Sequence, residues 1–271
     1  MLFSIHSSNF LRALTGAILA LSLFAFSGCQ TTSNAPTTEP SEAAASPTVL
    51  RVGVSANMPP FVFEQGGKLV GLEVDFARAL ADELGRNVRF VKMSWEDLIP
   101  SLRKGKIDIV MSGMNYNPER AAIISFSNPY VKSGQKAMVL QKNASKYPVA
   151  GFIVNAKIKV GAEKATTGSY LVRSSFPKAE LKTYSSAQRG AEAVINGEIE
   201  LFIHDAPTVY WMSGLYQNQG LTAALPVLTQ DLMAWGINRD NVELLDAVNQ
   251  VLVNWSADGT TDAILNRWVR L

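Results

Sequence analysis

The sequence of 271 residues is poor in the side chains that hold metals or form cross-links. It has one cysteine, Cys29, and two histidines, His6 and His204. A single cysteine cannot form a disulfide within the chain, and it excludes the multi-cysteine patterns of structural zinc and iron–sulfur sites. Two histidines leave little material for a histidine-rich metal site or a histidine-based catalytic triad. We therefore expect neither a metal nor another cofactor.

An excess of charge of one sign is also missing. The chain carries 25 Lys and Arg against 23 Asp and Glu, a formal net charge of +2. This balance gives no electrostatic reason to expect nucleic acid as a partner. With 47% hydrophobic residues, the chain is long enough to bury a large core, as one long domain or as two of ordinary size.

The apolar run near the amino end is too short to be a permanent membrane span. It extends from Ala13 to Phe26 after a single charge, Arg12, whereas a spanning helix needs about 20 residues. A basic start, a short apolar core and a small-residue exit predict a secretory signal over residues 1–28.

The end of this run, Phe26-Ser27-Gly28-Cys29, resembles a bacterial lipoprotein lipobox, with Phe26 where leucine is most usual. The resemblance implies cleavage before Cys29 and lipidation of that residue. The protein would then be anchored by lipid on the periplasmic or cell-surface side of a bacterial membrane. A plain signal peptide followed by a chance cysteine is the alternative.

Residues 29–47 are rich in Thr, Ser, Ala, Pro and Glu and show no apolar periodicity. Such a composition cannot bury enough surface to offset the entropy of ordering, so it predicts a flexible tether. The folded part is expected to start near Thr48.

Strand and helix patterns alternate twice along the folded part. The first series has strands at Leu50–Val54, Val88–Val91 and Ile107–Met111, with helices at Asp75–Leu84 and from Ser94 onward. The second has strands at Lys157–Ala162, Lys182–Ser185 and Ile199–Ile203, and helices at Gly168–Ser174, at Ala187–Ile195 and after Asp205, a candidate helix cap. Helices through residues 244–255 and 261–269 complete the chain. Two α/β units predict two lobes, and the cleft between them is the expected ligand site.

The hexapeptide Gly71-Leu72-Glu73-Val74-Asp75-Phe76 resembles the signature of the bacterial extracellular solute-binding proteins, family 3, which capture amino acids for ABC importers. Further motifs follow in the family's order, with similarity from about Leu50 to Trp268: Pro59-Pro60-Phe61, Trp95 to Leu102, Gly105 to Asp108, Pro118-Glu119-Arg120 and Phe126 to Tyr130.

This resemblance implies an α/β, two-lobe periplasmic-binding-protein (Venus-flytrap) fold, in which each lobe is a mixed sheet flanked by helices. Two hinge strands are expected near Ala137–Gln141 and Pro226–Ala234. Lobe one would then comprise residues 48–138 and 232–271, and lobe two residues 139–231. The implied partners are a small-molecule amino acid and an ABC transporter permease, bound by a monomer that is not an enzyme.

The resemblance also implies how the backbone groups of the ligand are bound. Arg120 and Thr167 would hold its α-carboxylate, since a guanidinium matches a carboxylate with two parallel donors. Asp205 and the carbonyl of Gly113 would hold its ammonium group. Asn115 stands where the family usually has threonine or serine.

The ligand side chain would contact Trp95, Met58, Glu163 and His204. Two residues give conflicting evidence on the class of the ligand's side chain. Ser55 stands where many relatives have an aspartate, which argues against a lysine or arginine ligand, whereas Glu163 favours a cationic or amide ligand. The identity of the amino acid stays open.

Two other functions also stay open. Some proteins of this fold resemble periplasmic cyclohexadienyl dehydratases, in which a carboxylate in the cleft acts as an acid; Glu163 or His204 would take that role here. A free-standing amino-acid sensor would use the same cleft.

Overall fold

Two five-stranded sheets organise the folded part of the chain. The computed structural model describes residues 49–269. The expected signal peptide, tether and lipidated Cys29 therefore lie outside the described residues.

The first sheet has the strand order β5-β1-β6-β15-β7. Its strands are β1 (Val49–Val54), β5 (Asn87–Lys92), β6 (Ile109–Val110), β7 (Ser125–Phe126) and β15 (Gly236–Ile237). Strand β1 runs parallel to β5 and β6, and β15 runs antiparallel to β6 and β7. The helices of this lobe are α1 (Leu72–Glu83), α2 (Leu98–Arg103), α3 (Pro118–Ala121), α8 (Val242–Asp258) and α9 (Thr260–Trp268).

The second sheet has the order β11-β10-β12-β9-β13. Its strands are β9 (Gln135–Leu140), β10 (Lys159–Glu163), β11 (Glu180–Tyr184), β12 (Leu201–Asp205) and β13 (Leu221–Val227). Strand β10 is parallel to β11 and β12, and β9 is antiparallel to β12 and β13. The helices are α4 (Ala150–Val154), α5 (Thr167–Ser175), α6 (Ala187–Ile195) and α7 (Ala206–Leu215). We call the parts built on the first and second sheets lobe one and lobe two.

Each lobe is a layer of strands with buried apolar side chains on both faces. In lobe one, a large cluster that includes Phe76, Trp235 and Trp255 lies under α1, α8 and α9, and a smaller one around Leu102 lies under α2. Lobe two also has two clusters, one around Ile203 and the other around Phe202, on successive residues of β12. Because successive side chains of a strand point to opposite faces, β12 serves both clusters. The predicted fold of two lobes, each with a mixed sheet flanked by helices, is confirmed.

Two segments connect the lobes, and one differs from the prediction. Strands β8 (Val131–Ser133) and β14 (Asp231–Met233) pair with each other in a separate two-stranded ribbon. The hinge strand predicted at Ala137–Gln141 overlaps β9, which lies inside the second sheet between β12 and β13. The expected boundary at 138/139 therefore cuts through a strand of lobe two, and the crossing lies earlier, at β8. The second predicted segment, Pro226–Ala234, does contain β14.

Smaller differences concern short elements. A three-stranded sheet of β2 (Asn57–Met58), β3 (Val62–Gln65) and β4 (Lys68–Val70) was not predicted, since its strands are too short to show periodicity. The helix expected from Ser94 begins as a 3₁₀ turn at Trp95–Asp97 before α2, and two more 3₁₀ turns lie at Gln141–Lys146 and Gln217–Gln219. None of the helices described between residues 49 and 269 is long and apolar enough to cross a membrane.

Candidate functional site

The candidate site lies where lobe one contacts the carboxyl ends of two strands of lobe two. Strands β10 and β12 end at Glu163 and Asp205, and the loop after β6 carries Gly113 and Asn115. Clefts at the carboxyl ends of parallel strands are common ligand sites in α/β proteins. Four hydrogen bonds and one ion pair between the lobes, detailed below, hold this cleft closed.

Arg120 is buried at the interface between the lobes, with 7% of its surface exposed. Its Nη1 donates to the carbonyl of Asn115 at 2.9 Å, and its Nη2 donates to the carbonyl of Ala165 in lobe two at 3.2 Å. Its guanidinium carbon lies 5.4 Å from the centre of the Trp95 ring, within cation–π range. Burial lowers the pKa of Arg120, while the negative charge of Asp205 opposes that shift. The guanidinium uses two of its five N–H donors in these bonds and keeps three.

Ala165 receives two donors from lobe one. Besides Arg120, the indole Nε1 of Trp95 donates to the Ala165 carbonyl at 3.0 Å. Ala165 has φ of +59°, the left-handed conformation that a side chain disfavours. The backbone of this turn therefore has a conformation that suits glycine. The neighbouring Lys164 pairs with Glu96 of lobe one at 3.0 Å.

Asp205 uses only one of its carboxylate oxygens in the protein. Its Oδ1 accepts from Nδ2 of Asn115 and from Nε2 of Gln135, both at 2.6 Å. Its Oδ2 makes no hydrogen bond within residues 49–269 and lies 3.4 Å from Nδ1 of His204. Asp205 occupies the position before α7, but its side chain caps no helix N–H. The predicted capping role is therefore wrong, because the two amides draw the carboxylate toward the cleft.

Asn115 joins the groups of the two lobes. Its Nδ2 donates to Asp205 and, at 3.3 Å, to Oγ1 of Thr167, the first residue of α5. Its carbonyl accepts from Arg120, and its side-chain Oδ1 is buried with no partner among the described residues. An unpaired buried acceptor is costly unless a ligand supplies the donor.

Glu163 and His204 form a buried pair behind Asp205, and both are at most 2% exposed. Nε2 of His204 lies 3.2 Å from Oε2 of Glu163, and Nδ1 accepts the backbone N–H of Asp205 at 2.8 Å. An accepting Nδ1 identifies the ring in this geometry as the neutral Nε2–H tautomer. Burial lowers the pKa of His204, but the hydrogen bond to Glu163 and the charges of Asp205 and Glu163 outweigh burial, so the net shift is upward.

Gly113 is held by a buried carboxylate of lobe one. The Gly113 N–H donates to Oε1 of Glu73 at 2.6 Å, while Tyr130 and Trp235 donate to the same carboxylate at 2.7 and 2.8 Å. Burial raises the pKa of Glu73 to about 6, although the three hydrogen bonds act in the opposite direction. Gly113 has φ of +67°, and a Cβ there would lie 2.8 Å from the Phe61 ring. Glu73 therefore fixes a loop that only glycine fits.

The two predicted residues of the apolar wall differ in their surroundings. Trp95 is half-buried and lies on two adjoining pockets. Met58 is in β2 and only 1% exposed, and it lines neither pocket. The structure thus links seven of the nine predicted ligand-binding residues through direct contacts, namely Trp95, Asn115, Arg120, Glu163, Thr167, His204 and Asp205, and leaves Met58 and Gly113 outside that network.

Sequence reasoning missed Gln135. Its Nε2 donates to Asp205 and, at 3.1 Å, to Oδ2 of Asp231 on β14, so it connects the site to the ribbon between the lobes. Burial raises the pKa of Asp231, and its bonds to Gln135 and Thr229 oppose this shift. A polar residue at the start of the apolar strand β9 was the available signal. Within residues 49–269, no group of three or more His, Cys, Asp or Glu side chains is placed to hold a metal ion.

Comparison with known proteins places the chain among its relatives. The sequence pattern of the bacterial extracellular solute-binding proteins, family 3, matches residues 50–270. The chain is 30% identical over 226 residues to ABC transporter arginine-binding protein 1 of Escherichia coli, a match that covers 81% of this chain and 90% of that protein.

Two further likenesses bear on function. A binding component of an ABC transporter from Wolinella succinogenes, solved in complex with lysine, superposes with a TM-score of 0.77 at 28% identity and covers 81% of this chain and 95% of that one. The cyclohexadienyl dehydratase of Pseudomonas aeruginosa is 28% identical over 160 residues, 58% of this chain and 59% of that enzyme.

Proposed function

Because the chain belongs to the bacterial extracellular solute-binding proteins, family 3, we propose that it binds an amino acid in the cleft between its lobes and delivers it to the permease of an ABC importer. The similar proteins include an arginine-binding protein of an ABC transporter and a binding component of an ABC transporter in complex with lysine.

The observation that carries the proposal is the placement of opposite charges on either side of Asn115. Arg120 donates to the Asn115 carbonyl, and the Asn115 side chain donates to Asp205. A guanidinium and a carboxylate held by one residue suit the carboxylate and the ammonium group of one α-amino acid. Arg120 belongs to lobe one and Asp205 to lobe two, so such a ligand contacts both lobes.

Each ligand group has free partners in this arrangement. Three N–H donors of Arg120 remain for the carboxylate, with the hydroxyl of Thr167 nearby. The ammonium group has two acceptors, Oδ2 of Asp205 and the buried Oδ1 of Asn115. The carbonyl of Gly113, which Glu73 positions through the Gly113 N–H, is the third acceptor that we assign.

Ligand binding stabilises the closed arrangement of the lobes. A ligand gripped by both lobes binds the closed state more tightly than the open one, and the equilibrium shifts by that difference. The ribbon of β8 and β14 is the hinge in this proposal. Micromolar binding needs about 8 kcal/mol, which several desolvated charge-assisted hydrogen bonds can supply.

The location follows from the amino-terminal region. We assign residues 1–28 to a signal that directs export, and Cys29 to lipid attachment on the outer face of a membrane. The protein then acts as a monomer on the periplasmic or cell-surface side, tethered near its permease.

Replacement of Arg120 tests the proposal. We expect Arg120→Ala to weaken amino-acid binding by roughly 100-fold or more, because each lost charge-assisted bond is worth about 1.5–3 kcal/mol. Calorimetric titration measures the affinity, and circular dichroism checks that the fold is retained. The control is Arg89→Ala on the exposed part of β5, which removes the same charge away from the cleft. Unchanged affinity in Arg120→Ala would contradict the assignment.

A dehydratase is the second candidate, favoured by the likeness to the Pseudomonas enzyme. The buried pair of Glu163 and His204 would supply the acid for such a reaction. Incubation of the protein with prephenate or arogenate, followed by detection of an aromatic product, distinguishes this activity from simple capture.

A further inference from the structure

Two pockets of similar size adjoin Trp95, and their charges differ. The first, of about 630 Å³, contains three basic residues, Arg103, Lys104 and Arg120, and two acidic ones, Glu96 and Glu119. The second, of about 640 Å³, contains three acidic residues, Glu64, Glu96 and Glu163, and one basic residue, Lys164. The second pocket, which we call the acidic pocket, therefore attracts a cation and the first does not.

Two of the three carboxylates in the acidic pocket are already neutralised. Glu64 pairs with Lys92 at 2.7 Å, and Glu96 pairs with Lys164 at 3.0 Å. Both pairs are well exposed, so solvent also screens them. Glu163 is the remaining carboxylate, and its neighbour His204 is neutral in this geometry.

Glu163 also keeps one oxygen for a ligand. Oε2 takes the hydrogen bond with His204, and Oε1 makes no hydrogen bond within residues 49–269. The side chain is 3% exposed. A buried carboxylate without a cation is unfavourable, and a ligand cation that reaches Oε1 removes that penalty.

The rest of the acidic pocket suits an N–H-rich cation. Five hydroxyl-bearing residues line it and offer acceptors, and the Trp95 ring adjoins them; they are Ser55, Ser94, Thr183, Tyr184 and Ser185. Many relatives have an aspartate at the position of Ser55. This pocket therefore has one negative charge fewer than theirs, but it keeps the carboxylate of Glu163. Both residues line the same pocket, so Glu163 can supply there the negative charge that Ser55 lacks.

We propose that the bound amino acid is a cationic one, and that its ammonium or guanidinium group lies in the acidic pocket with Glu163 as its counter-ion. The proposal rests on the proposed function, since Arg120 and Asp205 must hold the α-carboxylate and α-ammonium. It adds the ligand class and the residue that selects it.

Calorimetric titration of the full chain with arginine, lysine and glutamine tests this inference. The titrations are run at pH 8, which favours neutral His204. A hydrogen bond to a charged group is worth about 1.5–3 kcal/mol, so we expect arginine or lysine to bind roughly ten- to hundredfold more tightly than glutamine. In Glu163→Gln the amide oxygen can still accept from His204, while the NH₂ group faces the pocket and repels a cation. We expect this variant to lower the cation-to-glutamine affinity ratio at least tenfold.

Two controls separate charge selection from other effects. Glu180→Gln removes the same charge from an exposed position on β11, and we expect the ratio to stay at the wild-type value. If Glu163→Gln does not fold, as judged by its melting curve, Glu163→Asp provides a charged variant whose shorter side chain should weaken cation binding selectively. Equal affinity for glutamine and the cations, or an unchanged ratio in the Glu163 variant, would overturn the inference. Absence of binding by every amino acid would instead overturn the proposed function.

Discussion

Removal of the Tyr130 hydroxyl is the perturbation whose effect on stability the structure defines most closely. Tyr130 donates to Oε1 of Glu73 at 2.7 Å, and Glu73 is fully buried. In Tyr130→Phe the ring keeps its contacts with Phe76 and Trp235, each 5.3 Å between ring centres. The variant therefore removes one hydrogen bond to a buried carboxylate and little else.

The size of the effect follows from the charge of Glu73. At pH 7 its carboxyl, with a pKa of about 6, is mostly ionised. A hydrogen bond to a charged group contributes about 1.5–3 kcal/mol, so we expect Tyr130→Phe to lower the free energy of unfolding by about that amount. For a domain of this size, this corresponds to a fall in Tm of roughly 3–12 °C.

The same bond gives the effect a pH dependence with a definite sign. Burial raises the pKa of Glu73 from 4.5 to about 6 in the folded protein. The contribution of the Glu73 carboxyl to the free energy of unfolding is therefore fully present below pH 4.5, where the group is protonated. This contribution declines by about 2 kcal/mol as the pH rises through 6 and the buried group ionises. Loss of the Tyr130 donor raises the folded pKa further. The cost of Tyr130→Phe should thus be larger at pH 7 than at pH 4.

Urea unfolding followed by tryptophan fluorescence at both pH values measures these differences. Tyr116→Phe is the matched control, because Tyr116 is 48% exposed and its loss of a hydroxyl should leave stability almost unchanged. Equal stability of Tyr130→Phe and wild type at pH 7, or an equal loss at pH 4 and pH 7, would refute the reasoning.

Two further predictions concern the backbone and the core. Ala165→Gly should raise Tm by roughly 2–4 °C in a melting scan, because it relieves the strain of the left-handed φ of +59°, which costs about 1 kcal/mol; a lower Tm would show that this turn is unstrained. Gly190→Ala should destabilise lobe two by about 1–3 kcal/mol in urea titrations, since its Cβ would lie 1.9 Å from Phe202. Gly214→Ala in α7 has no atom within 4 Å of its Cβ and should not be destabilising; equal effects of the two glycine variants would count against the packing argument.

Periodicity predicted the regular elements well. Helix α6 has the predicted bounds, Ala187–Ile195, because its cap, apolar stripe and closing Gly197 all lie close together in sequence. Strand β1, at Val49–Val54, also matches the predicted strand Leu50–Val54 to within one residue. Such features depend on local sequence alone.

The remaining features depend on contacts between distant residues. The family resemblance predicts a hinge at Ala137–Gln141, whereas the pairing of β9 with β12 and β13 includes this strand in the second sheet. Asp205 was expected to cap α7, and amides 90 and 70 residues away hold it instead. Gln135 joins the site only through such a long-range bond. The sequence therefore predicts charged groups for the candidate site, but not the distant residues that hold them.

A thermal-shift titration of the protein with the common amino acids tests amino-acid capture most directly. A ligand that binds only the folded state adds RT ln(1 + [L]/Kd) to the free energy of unfolding, about 4 kcal/mol when its concentration is 1,000 times Kd. We predict that at least one amino acid raises Tm by roughly 10 °C under that condition, and that the shift is lost in Arg120→Ala. An unchanged Tm with every amino acid, or an equal shift in Arg120→Ala, would contradict the account.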